Sequence, residues 1–418
     1  MRENWKRGLA AGISAAVLLL GFSGCSAVKA EEKAKYPDTD VPRFDLLEDN
    51  PVSEDFLESL SDFCCRTAAM ILSQGEGNSL YSPLSAYYAL ALTAQGTKGE
   101  TKEEFSQLLG MKGIENFSQQ CGNLYRRLYQ NDGKSILQIA NSLWLQEGMD
   151  IRKDYREMAL QDFYASLYLV DFQNPQAGEA MGKWISEQTG GMLQYDAKAD
   201  PSRILTILNT VWLKDTWTSP FDPANTREEL FTLADGQQVT CKFMNQTDEK
   251  GRIWRGEGYI RAQIPLRSGC KAVFILPEEG REAQQWLTSP ELMKEALTGG
   301  EEQRREIHWS VPVYSSDSSL ELSESLQRLG LQAAFDSEKA DFSEMLDTEA
   351  VLSSVSQKVR IRWDEVGLEA AAYTEVAVNA ALLQPAEPVE IRLNRPFLYG
   401  ISTMEDLYLF VGICTDPS

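Results

Sequence analysis

One histidine in 418 residues narrows the chemistry open to this chain. His308 stands in REIHWSVPV, a run that alternates with the period of a strand. A Ser-His-Asp triad would have to use it, and zinc sites built from several histidines are excluded. No G-x-S-x-G, H-E-x-x-H or phosphate-cradling glycine loop occurs, and no G-x-G-x-x-G follows a strand. The expectation is a structural histidine on a sheet surface, no metal or other cofactor, and a chain that is not an enzyme.

Cysteine carries the remaining reactive chemistry. Arg2, Lys6 and Arg7 precede an apolar stretch from Leu9 to Phe22, which is too short for a spanning helix and reads as a signal peptide over residues 1–24. The small residues before Cys25 resemble a lipobox, with Phe22 where Leu is usual, so the Cys25 thiol is expected to be acylated. An ordinary secretory peptide cut nearby is the alternative. Either implies export, and lipidation implies a protein held on the outer side of a bacterial membrane by its lipid alone. The other six cysteines, Cys64, Cys65, Cys121, Cys241, Cys270 and Cys414, lack C-x-x-C spacing. Free, mostly buried thiols are expected.

Residues 25–50 are rich in Lys, Glu, Asp and Pro without an apolar period and read as a tether. From 51 to 418 there is neither a second linker nor a repeat, which predicts one large domain. The net charge of −22 argues against nucleic-acid binding.

The elements mix helices with long strands. In NSLYSPLSAYYALALTAQGTKGET, Ser82 is placed as an N-cap, Pro83 as the first helical residue and Gly96 as the stop. Thr101 and Glu104 suggest a capping box for a second helix ending at Gly110. Ile204 to Leu213 is an apolar run fitting a strand covered on both faces. Asn209 within it must be hydrogen-bonded, tying that strand to a neighbour. Val389 to Ser402 and Leu407 to Cys414 read as a hairpin turning at Met404-Glu405-Asp406. An α+β fold with a large sheet follows.

Between the last sheet segments, residues 364–388 encode two states. Leu368, Ala370, Ala372, Thr374, Val376, Val378, Ala380 and Leu382 would share one face of a strand, and the more polar Glu369, Ala371, Tyr373, Glu375, Ala377, Asn379 and Ala381 the other. The same stretch is alanine-rich and could form a helix or an exposed coil. Gly367 supplies a hinge, and Pro385 and Pro388 end regular pairing.

These motifs, in this order, resemble the serpin family from about Asn50 to the C-terminus. NSLYSPLSAYYALALTAQGTKGET is similar to the family's shutter helix, ANSLWLQ to the start of a central strand, and ILNTVWLKDTWTSPFDPANT to the strand and breach segment with Trp217. ADFSEM, QKVRIRWDEVGLEAAAYT, NRPFLYGI and LYLFVGIC complete the set. The resemblance implies a serpin fold: a large, mostly antiparallel central sheet, additional sheets, surrounding helices and an exposed reactive-centre loop at about 364–390. It implies a suicide inhibitor, expected to be monomeric, that forms a covalent complex with a target serine protease, with papain-like cysteine proteases as an extension.

The resemblance assigns the hinge to Glu365, Gly367, Leu368, Glu369, Ala370, Ala371, Ala372 and Thr374. It places shutter and breach at Ser82, Ser85, Asn209, Trp217 and Gln357, and the scissile bond at Ala381-Leu382, with Leu383 as the alternative. Residues 367–381 would span roughly 50 Å at about 3.3 Å each, enough for a long inserted strand. Small side chains at Ala370 and Ala372 ease entry between strands. Leu368 departs from the usual Thr or Ser and would slow the start of insertion. Gln357 stands where many members have histidine, and pairing with the Asn209 region is expected. No Lys or Arg lies between Gly367 and Glu390, so elastase-like or subtilisin-like proteases are the expected targets. A non-inhibitory serpin, acting as decoy substrate or binding protein, is the runner-up. An exported lipoprotein that binds a nutrient or glycan is the alternative from another class.

Overall fold

The computed structural model describes residues 28–39, 41–75, 77–194, 203–368 and 387–418. Strand β1 (Val28–Glu32) precedes helices α1 (Arg43–Asp49) and α2 (Glu54–Leu72). A short β2 (Ser79–Tyr81) leads into α3 (Pro83–Ala94), α4 (Gly99–Leu109) and α5 (Phe117–Leu128). Then come β3 (Gln130–Asn131), β4 (Ile136–Gln146), α6 (Lys153–Asp162), β5 (Ala165–Val170), α7 (Pro175–Gln188) and β6 (Leu205–Thr216). The middle of the chain supplies β7 (Arg227–Thr232), β8 (Gln238–Gly256), β9 (Tyr259–Pro265), β10 (Lys271–Pro277), α8 (Pro290–Thr298), β11 (Glu301–Pro312) and β12 (Tyr314–Glu321). It ends with α9 (Ser323–Arg328), β13 (Ser356–Trp363), β14 (Gly367–Leu368), β15 (Val389–Arg392), β16 (Phe397–Ser402) and β17 (Tyr408–Cys414).

Two sheets organise these strands, giving the expected α+β fold. The first runs β1-β5-β4-β6-β14-β13-β12, with β3 also paired to β4. The second runs β15-β11-β8-β9-β10-β16-β17-β2, with β7 beside β8. Within the first sheet, β14 is antiparallel to both β6 and β13, so those two run parallel to each other. Among the described residues only the two-residue β14 joins them.

Several local expectations are corrected. The Ser82 hydroxyl does not cap α3; it donates to the Leu409 carbonyl at 2.6 Å. That helix stops at Ala94, and Gly96 serves packing instead, since a Cβ there would lie 2.5 Å from Met345 Cε. Helix α4 begins at Gly99, so Thr101 and Glu104 form no capping box. The Thr101 hydroxyl accepts from the Asp341 N–H, and the Glu104 carboxylate accepts from the Gln332 and Ala333 N–H groups. Its C-terminus is as expected: Gly110 is left-handed at φ 64°.

The run Ile204 to Leu213, expected to be covered on both faces, is only half-buried along much of β6, because α7 covers only part of its outer face. The C-terminal hairpin forms between β16 and β17, but its first arm is broken, and β15 instead pairs in parallel with β11. The stretch expected to be a plain tether lies along the body from Val28 onward. β1 adds to the edge of β5, and the Ala34 N–H donates to Ser166 Oγ at 3.0 Å. Tyr36 stacks on Tyr129 with ring centroids 5.5 Å apart, and its hydroxyl donates to Gln188 Oε1 at 2.7 Å. An apolar period was not needed there, because an open strand edge recruits backbone groups regardless of side chain.

Candidate functional site

The site centres on the turn between β13 and β14, where a glycine permits close backbone contact. At Gly367 a Cβ would lie 2.3 Å from the Asp215 carbonyl oxygen and 2.5 Å from Thr216 Cα, so no larger residue fits. Gly367 pairs with Thr216, and Leu368 lies between Asp215 and Trp363. Leu368 is 1 % exposed. A cavity of about 10 Å³ adjoins it, bounded by Val211 and Leu213 on one side and Ile361 on the other. This corrects the placement of the exposed loop at about 364–390: Leu368 is already inside the sheet, and the seam beside it is nearly closed.

The breach is built from backbone contacts around one aromatic. Trp217 is buried, and its indole Nε1 donates to the Asp364 carbonyl at 2.7 Å. Its own N–H donates to the Val366 carbonyl at 3.0 Å, and the Phe221 N–H donates to the Glu365 carbonyl at 2.9 Å. The Thr226 hydroxyl donates to Glu365 Oε1 at 2.8 Å. Expected hinge residue Glu365 is thus an anchor that fixes where the hinge begins.

Asp215 was missed by the sequence reading. Its carboxylate is fully buried, accepting from the Ser135 hydroxyl at 2.8 Å, the Thr216 N–H at 2.9 Å and the Ser268 N–H at 3.1 Å. The signal was present in LKDTW, because an acid within an apolar strand must find donors.

Lower in the sheet, the start of α3 holds both sides of the seam. On the β6 side, the Ser85 hydroxyl donates to Asn209 Oδ1, and Asn209 Nδ2 donates to Asn141 Oδ1 at 2.6 Å. Asn141 Nδ2 continues to the Phe163 carbonyl at 2.7 Å. On the β13 side, Gln357 grips the backbone of Ser82, with the Ser82 N–H donating to Oε1 at 2.8 Å and Nε2 donating to the Ser82 carbonyl at 2.9 Å. Gln357 was expected to reach the Asn209 region; its amide matches the Ser82 peptide instead, donor to acceptor and acceptor to donor. Asn209 does tie β6 to its neighbours, as expected. Separating β6 from β13 must therefore disturb at least one of these grips.

The bait positions Ala381, Leu382 and Leu383, the hinge positions Glu369, Ala370, Ala371, Ala372 and Thr374, and Cys25 lie outside the described residues. His308 lies on β11 at the surface, its Nε2 2.9 Å from Glu306 Oε1 and its Nδ1 3.0 Å from Glu390 Oε1. Those two hydrogen bonds raise its pKa above the usual value of 6.5. Both ring nitrogens are thus taken by carboxylates, and neither is offered to a serine nucleophile. Among the described residues no cluster of His, Cys, Asp or Glu could hold a metal, and no helix is long and apolar enough to cross a membrane. The six cysteines after Cys25 are free, and all but Cys241 are buried.

Among the described residues, the seam between β6 and β13 holds the two-residue β14, in an α+β fold of two large sheets. A family profile described as Serpin (serine protease inhibitor) matches residues 58–417, and the chain belongs to that family. Human antithrombin-III is 30% identical over 360 residues, covering 81% of this chain and 76% of that protein. Serpin-ZXA of Oryza sativa subsp. japonica is 27% identical over 389 residues, covering 85% of this chain and 96% of that protein. Among solved structures, the thermophilic serpin tengpin in its native state superposes with a TM-score of 0.77 at 27% identity, covering 92% of this chain and 97% of that one. Thyroxine-binding globulin in complex with thyroxine shares the fold, with a TM-score of 0.73 at 23% identity over 87% of this chain and 99% of that one. The family is mostly one of protease inhibitors rather than catalysts.

Proposed function

We propose that this chain is a suicide inhibitor of serine endopeptidases with elastase- or subtilisin-like specificity. The observation that carries the reading is the position of Gly367 and Leu368 between β6 and β13, where they start a strand that residues 369–381 can continue. A protease serine attacks the carbonyl of Ala381, its Oγ forms an ester there, and the amine of Leu382 leaves with a proton. Continued pairing from Leu368 onward then draws the ester-linked protease along the sheet before water reaches the bond. Small and aliphatic residues on the inward face of 368–380 support this, because all of them but Thr374 can be buried without a partner.

Anchoring through an acylated Cys25 belongs to the same proposal, and it would hold a monomeric inhibitor on the outer surface of a bacterial membrane. Papain-like cysteine proteases fit as secondary targets, since their thiolate attacks the same bond. Incubation with elastase, subtilisin, trypsin and papain, followed by SDS electrophoresis, tests the reading. A complex surviving SDS with the first two supports it. Cleavage at 381–383 with no adduct from any protease would establish the decoy-substrate alternative.

A further inference from the structure

The register of the first sheet relates the hinge to the N-terminal strand. Gly367 and Leu368 pair with Thr216 and Asp215, the last residues of β6. Val28 pairs with Val170, Val170 with Gln146, and the adjoining Leu145 with Leu205, the first residue of β6. Strand β1 therefore starts at the end of the sheet opposite the hinge, roughly 36 Å away along the 12 residues of β6. Continuing β14 in the same register sets Val378 opposite Leu205 and carries Ala381 three residues further. The cleaved loop would thus deliver its ester to the end where β1 starts, four strand spacings or about 19 Å to the side.

Cys25 stands three residues before Val28, a reach of at most about 10 Å. An acyl chain on it would hold this end of the sheet against the lipid, with the hinge end pointing away. A protease of about 240 residues is roughly 45 Å across, far wider than that gap. We propose that the end of the sheet marked by Val28 and Val170 rests on the lipid surface, and that β1 is a strap that peels from β5 when the bound protease arrives there. Both parts rest on the acylated Cys25 and the loop insertion proposed above. Chain length suits the release, since residues 25–39 drawn straight reach roughly 50 Å. The strap is also lightly held. None of the residues from Glu32 to Thr39 is buried. Its holds are the β5 pairing, the surface ion pair of Glu32 with Arg156, and the hydrogen bonds of Ala34 and Tyr36. Beyond it, Arg43 of α1 donates to the Arg127 carbonyl and to Glu405, so the body keeps its grip when β1 leaves.

Amide exchange in Val28–Glu32 tests this, measured on the acylated chain in phosphatidylcholine vesicles before and after reaction with elastase. Two comparisons accompany it: the mature Cys25→Ser chain, which stays in solution, and an acylated chain with about 20 Gly and Ser residues inserted after Cys25 to widen the gap. On vesicles, complex formation should speed exchange in Val28–Glu32 at least tenfold. In both comparisons the complex should exchange there as the free protein does, because nothing crowds that end of the sheet. A vesicle-bound complex with β1 still protected would show that the molecule tilts to admit the protease, and would overturn the proposal. An equal rise in the Cys25→Ser complex would overturn it too, since the release would then owe nothing to lipid. If Cys25→Ser forms no complex with elastase, the inhibitor reading itself fails; if the acylated chain does not float with vesicles, the anchor fails. Either result removes the proposal, and neither can be mistaken for a protected β1 in a formed complex.

Discussion

The side chain of Gln357 on β13 and the backbone of Ser82 at the start of α3 form a reciprocal pair of hydrogen bonds, 2.9 and 2.8 Å long. Ser82 is buried, so neither of its peptide groups has water to turn to. Gln357→Ala leaves a buried donor and acceptor unpaired at a cost of about 1–3 kcal/mol. The expected result is a lower Tm together with faster spontaneous conversion to an inactive monomer or polymer, read by native electrophoresis during incubation. An unchanged Tm and conversion rate would show that the β13 grip does not restrain the seam.

Gly367→Ala tests the close approach of β14 to β6. Its Cβ would collide with the Asp215 carbonyl oxygen, so the two-residue strand cannot stay paired. Hydrogen exchange at Leu368 should rise to that of an open loop, while the rest of β6 remains protected. Protection equal to wild type would contradict the described pairing.

Leu368→Arg addresses the inward face. A guanidinium at this position, which is 1% exposed, could pair only with the neighbouring Asp215 carboxylate, already held by Ser135, Thr216 and Ser268, so the hinge should be expelled and insertion slowed. The stoichiometry of inhibition should rise severalfold as more inhibitor is cleaved and released. Leu368→Thr fits the same space and should stay near wild type.

The pH dependence of β15 follows from His308. Its pKa is raised first by the Glu306 hydrogen bond and then by that of Glu390, so the stabilising charge is present at low pH. The contribution is complete below the unfolded value near 6.5 and fades as pH rises through the higher folded value. Amide exchange in β15, corrected for its intrinsic pH dependence, should therefore increase across that window. His308→Gln should remove the dependence.

Burial pushes the Cys65 and Cys270 thiols up to about 11, and the half-buried Cys241 to about 11 as well. At pH 8 only about one thousandth of each is thiolate. Thiol reagents should label these positions in the native protein far more slowly than in the unfolded chain. Rapid native labelling at any of them would contradict the burial described.

Much of this was legible in residue order. The amide at Asn209 announced a physical need that the fold meets, tying β6 to α3 and β4. What stayed hidden depended on partners distant in sequence. Ser82 looked like a helix cap because caps are local, yet its hydroxyl is drawn to Leu409, far along the chain. Thr101 and Glu104 fit a capping pattern, but segments more than 200 residues away claim both side chains. The segment from Val28 to Asn50 has no apolar period, and its docking to β5 and Tyr129 rests on an open edge and a single ring. Leu368 read as an obstacle because no sequence pattern tells how much of the hinge a sheet has already accepted.

The most direct measurement is the melting temperature of the protein before and after a single cut between residues 369 and 390. If the cleaved segment continues β14 as a central strand, Tm should rise by at least about 10 °C, as a gain of several kcal/mol gives a large domain. A cut protein that melts where the intact one does would contradict the account, because the seam between β6 and β13 would then have accepted nothing beyond Leu368.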